Sequence, residues 1–320
     1  MLVRPELGNR SGEFPGPGSR KYGVAVSTST LVMVSPATRL PDGTPEPNDR
    51  LRLADPDSPQ VNVADLGVTR GDGIFETFGV VDGALQAVQP HLQRLQRSAA
   101  LLELPELDLE ALERAVRLAA AEHPDGDILV KLIITRGIEG SGVPTAWALG
   151  FIGEDYSPRR IEGISVVTLD RGYRHDVAQT SPWLLQGAKT LSYAVNKASL
   201  REAARRGADD VIFISSDGYV LEGPTSTVIV RRGDTFITPR TDQGILEGTT
   251  QHALFEILVG LGFSSEYRYL QRAELDTADG LWLVSSGQQI APVISLDGRD
   301  RSCDHDFTAD LLKRLQSRTS

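Results

Sequence analysis

The chain has 320 residues, 40% of them hydrophobic, enough for one large domain or two of medium size with a real core. A formal charge of −10 argues against nucleic acid as the main partner, although a local pocket on an acidic protein can still be positive. Cys303 is the only cysteine, so neither an internal disulfide nor a CxxC metal site can form, and no apolar run approaches the roughly 18 residues of a membrane span; a cytosolic protein is the expectation.

Residues 1–24 are rich in Gly, Pro and Arg and read as a disordered extension. Val24–Val34 is short and Ser/Thr-rich, a poor signal-peptide core. Asp42–Pro59 reads as a long loop, and ordered patterning starts near Val61. Ile74–Val81 alternates towards a strand ending at the Asp82-Gly83 turn. Gln89–Leu102 and Leu107–Ala121 have helical spacing, and Ile128–Thr135 is a buried strand that Ala146–Gly150 can pair with. The polar stretch around Pro158 marks a boundary between residues 25–153 and 160–320. Beyond it, Ile164–Leu169 reads as a strand and Leu191–Arg206 as a helix stopped by Gly207. Further strands fall at Val211–Ser215, Tyr219–Leu221, Thr227–Arg231, Thr235–Thr238 and Leu281–Ser285, with helices at Thr249–Leu261 and Phe307–Leu315. Strands and helices mix without a strict βαβ rhythm, which predicts α+β.

The usual chemical motifs are missing. There is no GxGxxG after a strand, no GxxxxGK[ST] loop, no GxSxG elbow, and the five histidines have no metal-ligand spacing, so no metal site is expected. Lysine is scarce: it occurs only at Lys21, Lys131, Lys189, Lys197 and Lys313. A Schiff-base lysine cannot be replaced by arginine, whose guanidinium never yields a free amine. Lys131 lies within an apolar strand and Lys197 mid-helix, where a surface role is the plain reading. Lys189 follows Gly187-Ala188 just before a helix, a position open to both a catalytic and a surface role.

Five segments in order decide between them. Gly187-Ala188-Lys189-Thr190-Leu191-Ser192-Tyr193, with Asp217-Gly218-Tyr219-Val220-Leu221-Glu222-Gly223, resembles the class IV aminotransferase-like family of pyridoxal-phosphate (PLP) enzymes. So do Arg70-Gly71-Asp72-Gly73-Ile74-Phe75-Glu76-Thr77, His91-Leu92-Gln93-Arg94-Leu95, Leu246-Glu247-Gly248-Thr249-Thr250, and Ser285-Ser286-Gly287 with Ala291-Pro292-Val293. The family includes branched-chain and D-amino-acid aminotransferases and 4-amino-4-deoxychorismate lyases. The resemblance implies PLP fold type IV, with a smaller N-terminal α/β domain (25–153), a larger C-terminal domain (160–320) and the cofactor between them, in a homodimer.

It also implies roles. Lys189 would bind PLP and move protons at the substrate carbon. Glu222 would face the pyridine nitrogen, Tyr193 the ring's phenolic oxygen, and Arg94, Thr249, Thr250 and Ser286 the phosphate. Thr225 and Ser226 would lie beside the cofactor, and Arg70, Thr77 and Gly287 would touch substrate. Arg70 stands where many transaminase relatives carry Tyr or Phe, and its charge would suit a substrate with more than one carboxylate. Gln251 stands where the family's GxTR segment has Arg, which removes a charge expected near the phosphate. The resulting expectation is a lyase that releases pyruvate and 4-aminobenzoate for folate synthesis. A branched-chain or D-amino-acid aminotransferase is the alternative, and an inactive PLP-family binding protein a third.

Overall fold

The structure is a computed structural model describing residues 29–318; the extension expected at 1–24 lies outside the described residues. The first half forms a six-stranded antiparallel sheet from β1 (Ser29–Val34), β2 (Leu51–Ala54), β3 (Gly73–Val81), β4 (Ala84–Leu85), β5 (Ile128–Thr135) and β6 (Thr145–Phe151). Its order is β2-β1-β6-β5-β3-β4. The helices here are α1 (Leu66–Thr69), α2 (Val88–Leu101) and α3 (Leu109–Ala121). Alternation along β3 and β5 sorts the faces: Ile74, Phe78, Val130 and Leu132 are fully buried in one core with Leu92, Leu95, Leu112 and Val116 of α2 and α3. Each such side chain contributes about 1.5–3 kcal/mol on burial. The intervening residues Phe75, Thr77, Leu129 and Lys131 face a cavity on the other side.

Order therefore begins well before Val61. β1 is an interior strand, paired on one side with β2 and on the other with β6. It escaped the pattern reading because only Leu31, Val32 and Val34 of its six residues are buried. β2 lies within the stretch read as a loop; it is a four-residue edge strand with Leu53 exposed, so it carries little apolar signal.

The chain passes to a second sheet through α4 (Ser157–Ile161). Its strands are β7 (Ile164–Asp170), β8 (Asp210–Ile214), β9 (Thr227–Arg232), β10 (Thr235–Pro239), β11 (Ser264–Arg268), β12 (Gly280–Ser285), β13 (Gln289–Leu296) and β14 (Arg299–Asp300). The path runs β11-β10-β9-β12-β13-β7-β8, with β14 on β13. Parallel pairs (β10–β11, β13–β7, β7–β8) mix with antiparallel ones, so the α+β reading holds. Around this sheet lie α5 (Val177–Thr180), α6 (Ala194–Arg205), α7 (Thr249–Gly260), α8 (Arg272–Asp276) and α9 (His305–Gln316). Both faces are buried: Val228, Val230, Leu281 and Leu283 enter one core, while Ile229, Trp282 and Val284 enter another against α7 and α9. No helix among the described residues is long and apolar enough to cross a membrane.

Three expectations shift. α6 starts at Ala194 rather than Leu191, because Leu191 N–H donates to Gly73 O at 2.9 Å and Thr190 bridges Ile74, which ties this segment to β3. Tyr219–Leu221 makes only isolated bridges, to Ile214 and Gln271. The central strand β13 was not expected, because Pro292 disguises it; the ladder absorbs the proline beside a register shift between Val293 and Ser295.

Candidate active site

A cavity of about 430 Å³ opens between the first sheet and the second half. Lys189 reaches it by an unusual route. β4 pairs only with Val80 and Val81, so the start of β3 has a free edge. The Lys189–Leu191 segment adds to that edge: Phe75 N–H donates to Lys189 O at 3.1 Å. Gly73 allows this approach, since a Cβ there would fall 2.6 Å from Ile134 O and 2.7 Å from the Leu191 side chain. The Lys189 ammonium sits 4.6 Å over the Phe75 ring. Burial, with help from Arg94, pulls its pKa down to about 8, against the opposing charges of Glu76 and Glu222.

Glu222 lines the same cavity. Its Oε2 accepts from Leu246 N–H at 3.0 Å. Burial pushes its pKa up to about 7, against that donor and the charges of Lys189 and Arg171. A buried carboxylate so placed calls for a cationic N–H donor. Tyr193 packs edge-on against Phe75 and donates its hydroxyl to Pro224 O at 3.1 Å. Burial and Glu222 raise its pKa to about 12. Ser226 Oγ is buried with no hydrogen-bond partner. A Cβ at Gly223 would fall 2.2 Å from that oxygen, so only glycine leaves it room.

The opposite end is a charge cluster. Arg94 donates from Nε to Glu76 Oε1 at 2.7 Å, from Nη2 to Oε2 at 2.6 Å, and from Nη1 to Glu247 O at 2.8 Å. His91 Nδ1 lies 2.7 Å from Glu76 Oε2. Burial alone would raise the Glu76 carboxyl; Arg94 and His91 outweigh it and hold it well below the usual range. Burial lowers the His91 pKa more than Glu76 raises it. On its other side His91 Nε2 lies 3.3 Å from Thr249 Oγ1 and 3.2 Å from Ser286 Oγ. Thr249 opens α7 behind Gly248, where no side chain caps the helix, so the first-turn N–H groups point at the cavity end.

The cavity thus gathers Lys189, Glu222, Tyr193, Arg94, Thr249, Thr250, Ser286, Thr225, Ser226, Thr77 and Gly287. Three expectations need correction. Arg70 is exposed at the C-terminal end of α1 and lines an adjoining cavity with Asp72, Arg136 and Trp183, which shares Tyr193 and Glu222 with that of Lys189 but does not include the lysine. Neither acid near it in sequence pairs with it: Asp72 binds Arg136 at 2.7 Å, and Asp65 caps α1 and accepts from Thr145. The Arg94 fork is spent on Glu76 rather than open to an anion. Gln251 is buried against Tyr267, away from the cavity, so arginine's absence there removes no cavity charge. Sequence reading passed over Glu76 and His91 as chemical groups and left Lys131 and Lys197 as structural ones, yet both lysines line the cavity. The lone carboxylate in the apolar run Ile74–Val81 was the available signal for Glu76.

These donors suit PLP: an amine poised near neutrality, a buried acid lacking a cation, an unpartnered hydroxyl beside a glycine, and an open helix N-terminus for phosphate. The amino-transferase class IV profile matches residues 73–296. The chain is 47% identical over 77% of its length to a Mycobacterium tuberculosis protein, covering 89% of it, named bifunctional aminodeoxychorismate lyase / D-amino acid transaminase. A fold IV transaminase from Curtobacterium pusillum superposes with a TM-score of 0.86 at 54% identity, covering 91% of this chain and 100% of that one. A hypothetical aminotransferase from M. tuberculosis in its PLP-bound form gives 0.81 at 42% identity, over 90% and 99% of the two chains. The chain belongs to the class IV aminotransferase family and is a PLP-dependent enzyme of fold type IV.

Proposed function

We propose that the chain is a 4-amino-4-deoxychorismate lyase. The observation that carries this reading is Lys131. Its ammonium faces the cavity from β5, 5.4 Å from the Phe151 ring and 5.9 Å from that of Phe75. Burial, then Lys197, lowers its pKa. No carboxylate lies within salt-bridge distance of either lysine among the described residues, although Glu154 lines the same cavity, so Lys131 and Lys197 are two cations without a paired counter-charge. A substrate with two carboxylates supplies both, as aminodeoxychorismate does; D-alanine has only one, and 2-oxoglutarate brings two only as the acceptor of a transfer. Lys131 takes the part first assigned to Arg70, and the lyase named among the relatives agrees with it.

In this reading Glu222 holds the pyridine nitrogen's proton, and Tyr193 and Ser226 lie beside the ring. Thr249, Thr250, Ser286 and the remaining Nη1 proton of Arg94 hold phosphate, with Thr225, Thr77 and Gly287 on the substrate side. Bound there, PLP supplies the electron sink for charge at the substrate carbon. Lys189 takes the proton from ring C4 and returns one to the departing pyruvate, which leaves 4-aminobenzoate. No keto acid or water is consumed.

The second reading, D-amino-acid transfer, is favoured by the two activities in the M. tuberculosis relative's name. One paired assay separates them. A lyase releases pyruvate and 4-aminobenzoate from aminodeoxychorismate with no added keto acid; a transaminase moves the amino group of D-alanine to 2-oxoglutarate. Transfer at a competent rate with no 4-aminobenzoate released rejects the lyase. We also read the assembly as a homodimer, because exposed Trp183, Leu184, Leu101 and Val195 line one surface cavity that a second copy would cover. Sedimentation of the holoenzyme as a monomer would reject that.

A further inference from the structure

We infer that His91 takes up a proton when a phosphate dianion enters the cradle, so that phosphate binding at this site is proton-linked. The inference rests on the PLP reading and goes beyond it.

The tautomer is forced first. At 2.7 Å from Glu76 Oε2, Nδ1 must carry a hydrogen, since two acceptors cannot sit that close. Arg94 Nη2, 3.3 Å from Nδ1, is already committed to the same Glu76 Oε2. In a neutral ring Nε2 is therefore an acceptor, and the groups it faces are the hydroxyls of Thr249 and Ser286. Each hydroxyl owns one proton. A phosphate dianion only accepts, so it needs both. A neutral His91 competes for one of them; a protonated His91 donates to a hydroxyl oxygen and releases both protons towards phosphate. Glu76 remains as counter-charge.

The groups facing His91 are few. Glu76 comes from β3, Arg94 from α2 and Lys189 from the segment on the β3 edge, with the Phe78 ring 4.7 Å away. Behind it lies a second cavity of about 440 Å³ whose charged lining is Arg117, His252, Glu256 and Arg318. This cavity shares Thr249, Thr250 and Ser286 with the cofactor cavity and is also lined by His91, which the cofactor cavity is not. The phosphate cradle is thus a wall between two cavities, and a solvent proton can reach Nε2 without crossing the phosphate.

The test compares pyridoxamine 5′-phosphate with pyridoxamine on the cofactor-free protein, between about pH 7 and 9, where the ligand phosphate with its second pKa near 6 is already dianionic. Both ligands share the ring and amine, so titration of Lys189 and Glu222 is common to them. The phosphate ester should lose affinity relative to pyridoxamine by up to tenfold per pH unit as pH rises. His91→Gln should flatten that difference. Nitrogen-15 spectra of histidine-labelled wild type should show His91 as the neutral Nδ1–H form alone and doubly protonated with the ester. Parallel pH curves for the two ligands, or an unprotonated Nε2 in the complex, overturn the inference. The wild-type curves and spectra decide it even if His91→Gln does not fold.

Discussion

The two ends of the cavity are built on opposite principles. At one end, Glu76 takes Nε and Nη2 of Arg94 and Nδ1 of His91, so its carboxylate is fully partnered. At the Lys189 end, Glu222 has a single backbone donor, Ser226 Oγ has none, and the lysine has only the Phe75 ring face. The Glu76–Arg94 pair is held ionised, while His91 and the lone groups at the other end are pushed towards neutrality. Buried charge that finds a partner becomes scaffold; buried charge left without one becomes chemistry.

The strongest way to break this contrast is at Lys189. Lys189→Ala should abolish the visible absorption band of the bound cofactor and lower turnover by roughly four orders of magnitude or more, as loss of a covalent nucleophile does. A colourless wild type after incubation with PLP would sink the cofactor reading itself. Next is Glu76. Replacing it with Ala leaves Arg94 buried and uncompensated, and should cost about 3–5 kcal/mol in a denaturant melt. Its pKa is depressed in the fold, so its contribution is present above the ordinary value near 4.3 and is lost as pH falls below it.

Glu222 should behave in the opposite sense. Its folded pKa, about 7, lies above its unfolded value, so the cofactor-free protein loses this contribution as pH rises towards and through 7. Glu222→Gln should remove that slope from the melting curves and cut turnover about 100-fold or more, an effect of the size seen when a preorganised electrostatic partner is lost. Lys131→Ala should raise KM for the two-carboxylate substrate by roughly 10- to 100-fold, about the 1.5–3 kcal/mol of a charged hydrogen bond, and weaken D-alanine turnover less. The smallest effect belongs to Arg70→Ala. Its side chain is exposed on the single chain and lines the adjoining cavity rather than that of Lys189, so the substitution should change the stability of the single chain by less than about 0.5 kcal/mol; a tenfold fall in kcat/KM would return it to the site.

Much of the site was legible because its glycines and turns are local features. Gly187 before Lys189, Gly223 after Glu222 and Gly248 before Thr249 each mark where backbone must come close or a helix must open, and such needs are written in adjacent residues. The roles of Glu76 and His91 were not, since a glutamate in a strand and a histidine in a helix declare nothing until β3 and α2 pack face to face. Arg70 failed for the converse reason: its neighbours in sequence lead to the cavity, but the end of α1 leaves its side chain outside.

The amino-acid sequence by itself determined the fold class and, through short motifs whose order resembles the family's, singled out Lys189 and the segments that line its cavity. Tertiary structure decided which charges are paired and which are left bare. It seated β1 inside the first sheet, placed β13 through a proline, and put Lys131 rather than Arg70 on the wall of the Lys189 cavity. Burial and partnership set the energy of a charge, and neither exists until distant elements meet.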